Sequence, residues 1–435
     1  MMRSVKRYTF SNIQDCKRSL LTWAKQFEEV VWLDSNSYEG QTYPEFEGLL
    51  AVEAFTSIQT DSEGGFDRLE EYQQSTQDWI FGYLGYDLKN DTEKLSSNNE
   101  DHLGFSDLCF FQPKKLFLLY HDRIELHYLR MVDDEMDQDW KHISKIKSNN
   151  TDVTASTSQL AISLRIHKEA YKNKVRTLLD HIARGDIYEA NLCQEFYAQG
   201  SIDPWATYTQ LNAISRPPFA TFLRLDQQYL LSASPERYIK KIGAKIVSQP
   251  IKGTAARGSD VLSDHAFAKA LSEDPKERSE NIMIVDLVRN DLSRTAKKGS
   301  VKVEELCKVY AFKQVHQMIS TVVSEVDSQI TPVDVLRTTF PMGSMTGAPK
   351  VRAMQLIEAL EASKRGLYSG AVGYFDPKGD FDFNVIIRSI LYNADKQYIS
   401  YHVGGAITTA SDPDKEYEEC LLKARAMRSV LEGKS

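Results

Sequence analysis

Two distant segments of this sequence begin like helices and carry glutamates at matching positions. They are Asp274-Pro275-Lys276-Glu277-Arg278-Ser279-Glu280 and Asp412-Pro413-Asp414-Lys415-Glu416-Tyr417-Glu418-Glu419. In each, aspartate can cap the helix and proline can take its first position, where the missing N–H costs nothing. The paired glutamates are three positions apart, so each pair projects from one helical face.

These glutamates admit two interpretations. Carboxylates near a helix N-terminus are stabilised by the helix dipole, so ordinary helix starts would account for them. Alternatively, the two faces meet and hold a divalent cation, because Mg²⁺ binds carboxylate oxygens and keeps waters and a substrate ligand. The metal hypothesis has four protein ligands, which are Glu277, Glu280, Glu416 and Glu419.

Lys252 and Glu236 are candidates for nucleophilic and proton-transfer chemistry. Lys252 follows Pro250-Ile251 and is either a surface lysine, the default for this residue type, or an amine lining a pocket. An amine attacks carbon only when it is neutral, and burial lowers its pKa toward that form. Glu236 is either an ion-pair partner of Arg237 at a strand end or a general acid whose pKa an apolar wall raises.

Arg388 and two glycine-containing segments are candidates for anion binding. Alternation in the apolar run 384–391 places Arg388 on an apolar strand face, where its guanidinium suits bidentate binding of a carboxylate. An edge-strand arginine in solvent is the alternative. The loop 340–350 offers backbone N–H groups ahead of a helix, although its spacing excludes a P-loop. Gly404-Gly405 would let a ligand approach the backbone, but a tight turn is the commoner cause.

Composition restricts the class of protein. With 42% hydrophobic and 26% charged residues, the 435-residue chain is typical of a soluble globular protein. Its net charge of -8 argues against nonspecific binding to nucleic acid or to an anionic membrane. Five scattered cysteines without a C-x-x-C pair argue against a disulfide framework or structural zinc. No signal peptide and no membrane-length apolar run are present, so we expect a cytoplasmic location.

The hydrophobic pattern predicts two regions, 1–150 and 165–432, separated by a polar stretch at 132–159. The first region contains strands at 30–33, 79–86 and 116–120 and a polar loop at 88–102. The second contains predicted helices at 167–184, 263–273, 275–289, 332–338, 349–362 and 413–432. Its predicted strands are 219–225, 229–233, 237–241, 367–375, 383–392 and 397–403. Hairpin-like breaks between the last three indicate antiparallel pairing, so the predicted class is α+β.

Taken together, these motifs resemble the chorismate-utilising enzymes. The resemblance spans about residues 165–430 and keeps the motif order of the family. It is carried by segments 187–194, 232–237, 250–254, 277–291, 343–350, 368–375 and 404–419, together with Arg388. The looser N-terminal match includes Leu33-Asp34-Ser35 and the run 82–86, which resemble a subdomain whose tryptophan pocket is regulatory in some members and structural in others.

The resemblance implies two antiparallel β-sheets packed as a sandwich, with helices outside and the active site in a deep cleft. It implies Mg²⁺ held by Glu280 and Glu419, with Glu277 and Glu416 in support through water. It also implies a set of residues that bind the substrate or its carboxylates, which are Tyr368, Arg388, Gly405, Thr254, Thr346 and Glu189.

One side chain distinguishes branches of this family. The position of Lys252 is lysine in aminodeoxychorismate synthases and alanine in anthranilate synthases. The implied mechanism has the Lys252 amine adding at C2 of chorismate while the C4 hydroxyl leaves with a proton from Glu236. Ammonia then attacks C4 and expels the lysine. Because no amidotransferase nucleophile elbow is visible in the sequence, the resemblance implies a separate glutamine amidotransferase subunit.

Two positions depart from the family pattern. Members that use water have a lysine base at position 189 and members that use ammonia have glutamine, whereas this chain has Glu189. Position 317 is often histidine, but here it is Gln317, and a strand would turn the neighbouring His316 to the opposite face. The alternatives are anthranilate synthase component I, an isochorismate or salicylate synthase, and a catalytically idle regulatory protein.

Overall fold

The computed structural model describes residues 3–38, 43, 46–146, 160–313 and 315–433. Across these residues, the strands are β1 (Arg3–Thr9), β2 (Glu29–Asp34), β3 (Gly48–Thr60), β4 (Ile80–Leu84), β5 (Leu108–Leu119), β6 (Arg123–Leu129), β7 (Ser163–Leu164), β8 (Glu189–Gln199), β9 (Phe219–Leu225), β10 (Gln228–Ser234), β11 (Arg237–Ile242), β12 (Lys245–Ser248), β13 (Ile251–Ala256), β14 (Lys302–Ala311), β15 (Val315–Glu325), β16 (Gly347–Ala348), β17 (Ala371–Phe375), β18 (Phe381–Val385), β19 (Ser389–Asn393) and β20 (Tyr398–Ile407).

The helices in the same residues are α1 (Ile13–Ala24), α2 (Gly65–Thr76), α3 (Lys89–Thr92), α4 (Met136–Lys145), α5 (Lys168–Ala183), α6 (Pro204–Ser215), α7 (Val261–Glu273), α8 (Pro275–Ser293), α9 (Pro332–Thr339), α10 (Lys350–Leu360) and α11 (Pro413–Leu431). Among the residues described, no helix combines the length and apolar character needed to cross a bilayer.

The strands form two antiparallel sheets that share the long paired strands β3 and β5. The first sheet runs β1-β6-β5-β3-β2-β9-β10-β19-β20-β8. The second runs β5-β4-β17-β18-β11-β12-β15, with β13 and β14 also paired to β15. Strand β5 belongs to both, because residues 115–119 pair with β6 and residues 108–111 pair with β4.

Alternation along the strands separates two apolar layers. Val31 lies in the core between the sheets, together with residues such as Leu230 and Phe383. Its neighbours Val30 and Trp32 face the other way, into the layer that helices such as α5 and α11 cover. This pattern follows from the two-residue period of a strand. The predicted sandwich with outer helices is therefore confirmed.

Most predicted elements appear, with shifts that matter for the site. Helix α5 ends at the predicted glycine, since Gly185 adopts a positive φ of 81°. The predicted strand 367–375 begins only at Ala371, and the predicted strand 383–392 is interrupted between β18 and β19. The predicted polar boundary at 132–159 contains helix α4, while its residues 147–159 lie outside the described residues. The predicted loop 88–102 begins with the short helix α3.

Candidate active site

The two matching segments do form capped helix starts. The Asp274 carboxylate accepts hydrogen bonds from the backbone N–H groups of Lys276 and Glu277, at 2.8 and 3.0 Å. Asp412 caps α11 in the same way, with distances of 3.1 and 3.0 Å to the second and third residues beyond it. The caps fix where each helix begins, and therefore where the glutamates of its first turns project.

Two glycines let these glutamates approach the sheets closely. A side-chain Cβ at Gly253 in β13 would lie 3.1 Å from a carboxylate oxygen of Glu277. A Cβ at Gly405 in β20 would lie 3.1 Å from an oxygen of Glu416 and 3.7 Å from one of Glu419. The structure thus places Gly405 against the carboxylates of α11. A larger residue at either glycine would require the carboxylate oxygen to move by a few tenths of an ångström.

The carboxylates of α8 are electrostatically crowded. Burial raises the pKa of Glu277, and it raises the pKa of Glu280 to about 7, with Glu189 and Glu277 adding to the effect on Glu280. One Glu280 oxygen is buried without any hydrogen-bond partner among the described residues. Among the described residues, the ion-pair partner of that oxygen is the Lys276 ammonium, at 3.8 Å. A buried carboxylate with an unsatisfied oxygen is costly unless a cation or proton compensates it.

The carboxylates of α11 complete the acidic wall. Burial also raises the pKa of Glu416. For Glu419 burial acts in the same direction, but the Lys423 ammonium at 2.5 Å outweighs it and lowers the pKa. All donors in this wall are hard oxygen atoms, which suit Mg²⁺. The unsatisfied Glu280 oxygen and this donor set show that the residues fit such an ion.

The four glutamates do not form a closed coordination cage in this structure. Among the described residues, carboxylate oxygens of three residues lie within 4.8 Å of one another at Glu28, Glu29 and Asp226 instead. That cluster lies at the start of β2 and the turn after β9, with two of its members exposed. Exposed acidic groups of this kind commonly occur without a metal ion, so the cluster has no assigned role.

Lys252 is largely buried and does not lie on the surface. Its side chain is 13% exposed, and its Nζ donates a hydrogen bond to Glu189 Oε1 at 3.0 Å. Burial acts to lower the pKa of Lys252, but the nearby carboxylates of Glu189, Glu280 and Glu419 outweigh burial and raise it. The neutral amine expected from burial alone is therefore wrong, and the resting side chain is an ammonium ion.

Glu236 has the environment of a buried acid. It lies between β10 and β11, is 4% exposed, and accepts a hydrogen bond from the Ser344 hydroxyl at 2.8 Å. Burial raises its pKa to about 7, as the general-acid interpretation requires. The alternative ion pair with Arg237 is wrong, because that guanidinium binds Asp382 at 3.0 Å. Glu236 and Ser344 line a small pocket together with apolar side chains such as Val288, Leu292 and Met342.

We expect Glu236→Gln to lower the activity of the protein but to raise its thermal stability at high pH. The folded pKa of about 7 exceeds the ordinary 4.5, so folding takes up a proton between these pH values. The contribution of Glu236 to the free energy of unfolding is therefore fully present below pH 4.5. It is lost progressively as the pH rises from 4.5 through 7, a total of about 3 kcal/mol. Glutamine can keep the Ser344 hydrogen bond without a charge. The variant should unfold at a higher temperature than the wild type at pH 8.5, and this gain should be smaller at pH 5.5.

Turnover by Glu236→Gln should fall by about 100-fold or more, because the amide cannot deliver a proton. Wild-type turnover should itself decline above pH 7, where Glu236 loses its proton. Thermal unfolding and steady-state rates over pH 5.5 to 8.5 measure both effects. A variant that is active, or one with no stability gain at high pH, would contradict this assignment.

Arg388 has a different local structure from the one predicted. It lies between β18 and β19 in a left-handed conformation with φ of 53°, so strand alternation does not set its direction. The guanidinium is half-buried and makes no hydrogen bond or ion pair with any residue that the structure describes. Burial lowers its pKa, with Tyr368 and Glu419 opposing that effect. A guanidinium without a partner beside the acidic wall is suited to an anionic ligand.

The other predicted substrate-binding residues differ in burial and in the contacts that they make. Tyr368 is buried, with its ring stacked on His402 at a centroid distance of 5.2 Å and its hydroxyl 3.7 Å from the thiol of Cys193. Thr346 is fully buried, and its hydroxyl donates to the carbonyls of residues 342 and 343. Thr346 therefore shapes its own loop. The Thr254 side chain is exposed, and its backbone pairs with position 317 of β15.

Positions 316 and 317 behave as the sequence predicts for neighbours on a strand. His316 Nε2 lies 2.8 Å from the Asp264 carboxylate of α7, so it is held away from Gln317. Gln317 is buried, and its side-chain oxygen has no hydrogen-bond partner among the described residues. The structure thus gives no substitute histidine at this point of the strand.

Two residues that support the site were not assigned from the sequence. Ser344 binds Glu236, and Asn281 of α8 donates to the backbone carbonyl of Lys252 at 3.2 Å. Asn281 thereby ties the strand that carries the amine to the helix that carries Glu277 and Glu280. A polar residue on the buried face of α8 is the signal that could have identified it.

Comparison with known proteins agrees with this geometry. The chain is 36% identical to aminodeoxychorismate synthase component 1 of Escherichia coli (strain K12) over 356 residues, 82% of this chain and 77% of that protein. It is 35% identical to the aminodeoxychorismate synthase of Streptomyces griseus, of which it spans 50%. Its structure matches anthranilate synthase component I from Streptococcus pneumoniae TIGR4 with a TM-score of 0.77 and 26% identity, covering 90% of this chain and 95% of that chain.

A family model covers almost the whole chain. The model described as chorismate binding enzyme matches residues 18–429. This match begins well before the motif-bearing region at 165–430 and includes strands β2 to β6 of the N-terminal region. Together with the relatives above, it shows that this chain belongs to the chorismate binding enzyme family.

Proposed function

We propose that this protein is component I of an aminodeoxychorismate synthase, which aminates chorismate to 4-amino-4-deoxychorismate, a precursor in folate biosynthesis. The observation that carries the proposal is the largely buried Lys252 amine, which is hydrogen-bonded to Glu189 and interacts electrostatically with Glu280, Glu419 and Glu236. A lysine so placed can act as a nucleophile toward an electron-poor ring.

Each residue then has a chemical task. The Lys252 amine forms a bond to C2 of chorismate, the ring double bonds shift, and the C4 hydroxyl leaves as water with the proton of Glu236. Ammonia attacks C4, the double bonds shift back, and the lysine nitrogen leaves C2. Glu236 suits this role because its pKa of about 7 keeps part of it protonated near neutral pH. Arg388 would bind a carboxylate of the substrate.

The acidic wall would hold Mg²⁺ through Glu280 and Glu419, with Glu277 and Glu416 in support. When bound, the ion supplies a positive charge that anchors the ring carboxylate and withdraws electron density from the ring. The protein supplies the rest of the arrangement. The capped starts of α8 and α11 set the positions of the carboxylates, and Gly253 and Gly405 give them room.

Ammonia is proposed to come from a separate glutamine amidotransferase subunit. The Escherichia coli relative is named component 1, which supports a second component for this chain as well. The second candidate function is anthranilate synthase component I, which the similar Streptococcus pneumoniae structure favours. Lys252 favours amination without loss of the pyruvyl group, because that position resembles the aminodeoxychorismate branch.

Product identification tests the proposal directly. Purified protein with chorismate, Mg²⁺ and an ammonium salt should form 4-amino-4-deoxychorismate, measured by mass spectrometry. A matched reaction without the ammonium salt should give none. Anthranilate as the main product, detected by its fluorescence, would reject the proposal in favour of the second candidate, and isochorismate or salicylate would assign the protein to the water-using branch.

A further inference from the structure

The Glu189 carboxylate has one engaged oxygen and one free oxygen in the interior of the protein. The residue is 1% exposed and begins β8. Its Oε1 accepts the hydrogen bond from Lys252 Nζ at 3.0 Å. Its Oε2 has no hydrogen-bond partner among the residues described. A buried carboxylate oxygen left unsatisfied is expensive and calls for a functional explanation.

We propose that Glu189 is a catalytic residue that takes a proton from the Lys252 ammonium ion, holds it while the amine is bonded to substrate, and returns it afterwards. This inference rests on the proposed function, in which Lys252 is the nucleophile. It assigns to position 189 a proton-transfer step that a glutamine could not perform, because an amide has no comparable affinity for a proton.

The surroundings of Lys252 create the need for an acceptor. Besides Glu189, the charged groups that act on it are Glu236, Glu277, Glu280 and Glu419, from three different parts of the fold. They favour the ammonium form, which has no lone pair for attack. Within the described residues, Glu189 is the carboxylate in hydrogen-bond contact with the Lys252 nitrogen. Geometry therefore selects it over the other four.

The proton count of the cycle balances. Glu189 takes one proton and leaves a neutral Lys252 amine, whose electron pair forms the bond to C2 while Glu236 gives its proton to the departing hydroxyl. The attached nitrogen is then a positively charged secondary amine. Ammonia adds at C4, the C2–N bond breaks, and Lys252 leaves as a neutral amine that recovers its proton from Glu189. Glu236 is reprotonated from solvent, so the net change is chorismate plus ammonia plus one proton giving the aminated product and water.

The test compares Glu189→Gln with the wild type across pH. With chorismate, Mg²⁺ and ammonium salt, we expect Glu189→Gln to lose about 100-fold in kcat at pH 7. Because the fraction of neutral Lys252 increases tenfold per pH unit, the rate of this variant should rise with pH up to about 7. Above pH 7 it should level off, since loss of the Glu236 proton offsets the gain, while the wild-type rate declines. In the absence of ammonia, intact-mass measurements should show slower formation of the Lys252 adduct, and raising the pH should bring that rate closer to the wild-type rate at the same pH.

Two further variants make the comparison specific. Glu305→Gln alters another glutamate that accepts a lysine hydrogen bond, from Lys308 in β14, and should keep the wild-type rate and pH profile. Glu189→Asp keeps a carboxylate, so its rate should fall without the shift to higher pH. This variant also decides the matter if Glu189→Gln does not fold, since an upward shift of its acidic limb would contradict the proposal.

The outcomes separate this inference from the proposed function. A Glu189→Gln variant with the wild-type rate and pH profile overturns the inference and leaves the function intact. A wild-type protein that forms no 4-amino-4-deoxychorismate from ammonia overturns the function, and the inference with it.

Discussion

Lys252→Ala will abolish formation of 4-amino-4-deoxychorismate, with a loss on the order of 1,000-fold or more in kcat, as expected when a covalent nucleophile is removed. The reason is local. The Nζ of Lys252 is the amine that the structure places beside Glu189 and within the field of Glu280 and Glu419. Ammonia alone would have to displace a poor leaving group at C4 directly. Steady-state rates with ammonia, and the absence of a covalent adduct by intact mass, measure the effect.

The variant has a structural side effect that must be separated from catalysis. Removing Lys252 leaves Glu189 buried without its hydrogen-bond donor, which destabilises a protein by about 3 kcal/mol or more. The double variant Lys252→Ala/Glu189→Gln removes that charge and should recover stability but no activity. Lys245→Ala, which removes a lysine paired with Glu304 on β14, serves as the matched control and should remain active. Near-normal turnover by Lys252→Ala would mean that this amine is not the nucleophile.

Glu280→Gln is expected to weaken Mg²⁺ binding by about 10- to 100-fold or more, together with the turnover that depends on it. The Glu280 oxygen that lacks a hydrogen bond is the donor with the most to gain from a cation. Chelation of divalent ions from the wild type should likewise stop turnover, and added Mg²⁺ should restore it. Calorimetric titration with Mg²⁺ measures binding without reference to activity.

Although Glu280→Gln should weaken Mg²⁺ binding, we expect it to stabilise the metal-free protein at high pH. Burial raises the pKa of Glu280 to about 7, so its contribution to stability is present at low pH and lost as pH rises through that value. Glutamine should therefore raise the unfolding temperature at pH 8 when no divalent ion is added. Glu418→Gln, an exposed position of α11 beside Lys168, is the control and should leave Mg²⁺ affinity unchanged. Unaltered Mg²⁺ affinity in Glu280→Gln would remove this residue from the proposed ligand set.

Features encoded locally were predictable from the sequence. The starts of α8 and α11 follow from an aspartate cap and a proline, which act within one helical turn. Only the resemblance implied that both helices approach the same site. Nothing local in either segment specifies which distant segment, about 140 residues away in the sequence, it will contact.

Features that depend on distant contacts were predicted less well. The charge of Lys252 depends on Glu189, 63 residues earlier, so the chain around Lys252 carries no sign of it. Alternation suggested a continuous strand through Arg388, but a positive φ interrupts it, and such a conformation in a non-glycine residue leaves no mark in a hydrophobic pattern. Ser344 became visible as a functional residue only when folding brought it to Glu236.

The position of β4 between β5 and β17 has a consequence for how the protein is made. Strand β4, at residues 80–84, completes its pairing with residues 371–375 of β17. During synthesis, one edge of β4 is therefore left open until most of the chain has left the ribosome. Pairing over such a sequence distance makes folding slow, and an open apolar edge invites association between nascent chains. A polypeptide interrupted before residue 371 would thus retain an aggregation-prone edge, however well its N-terminal strands pair among themselves.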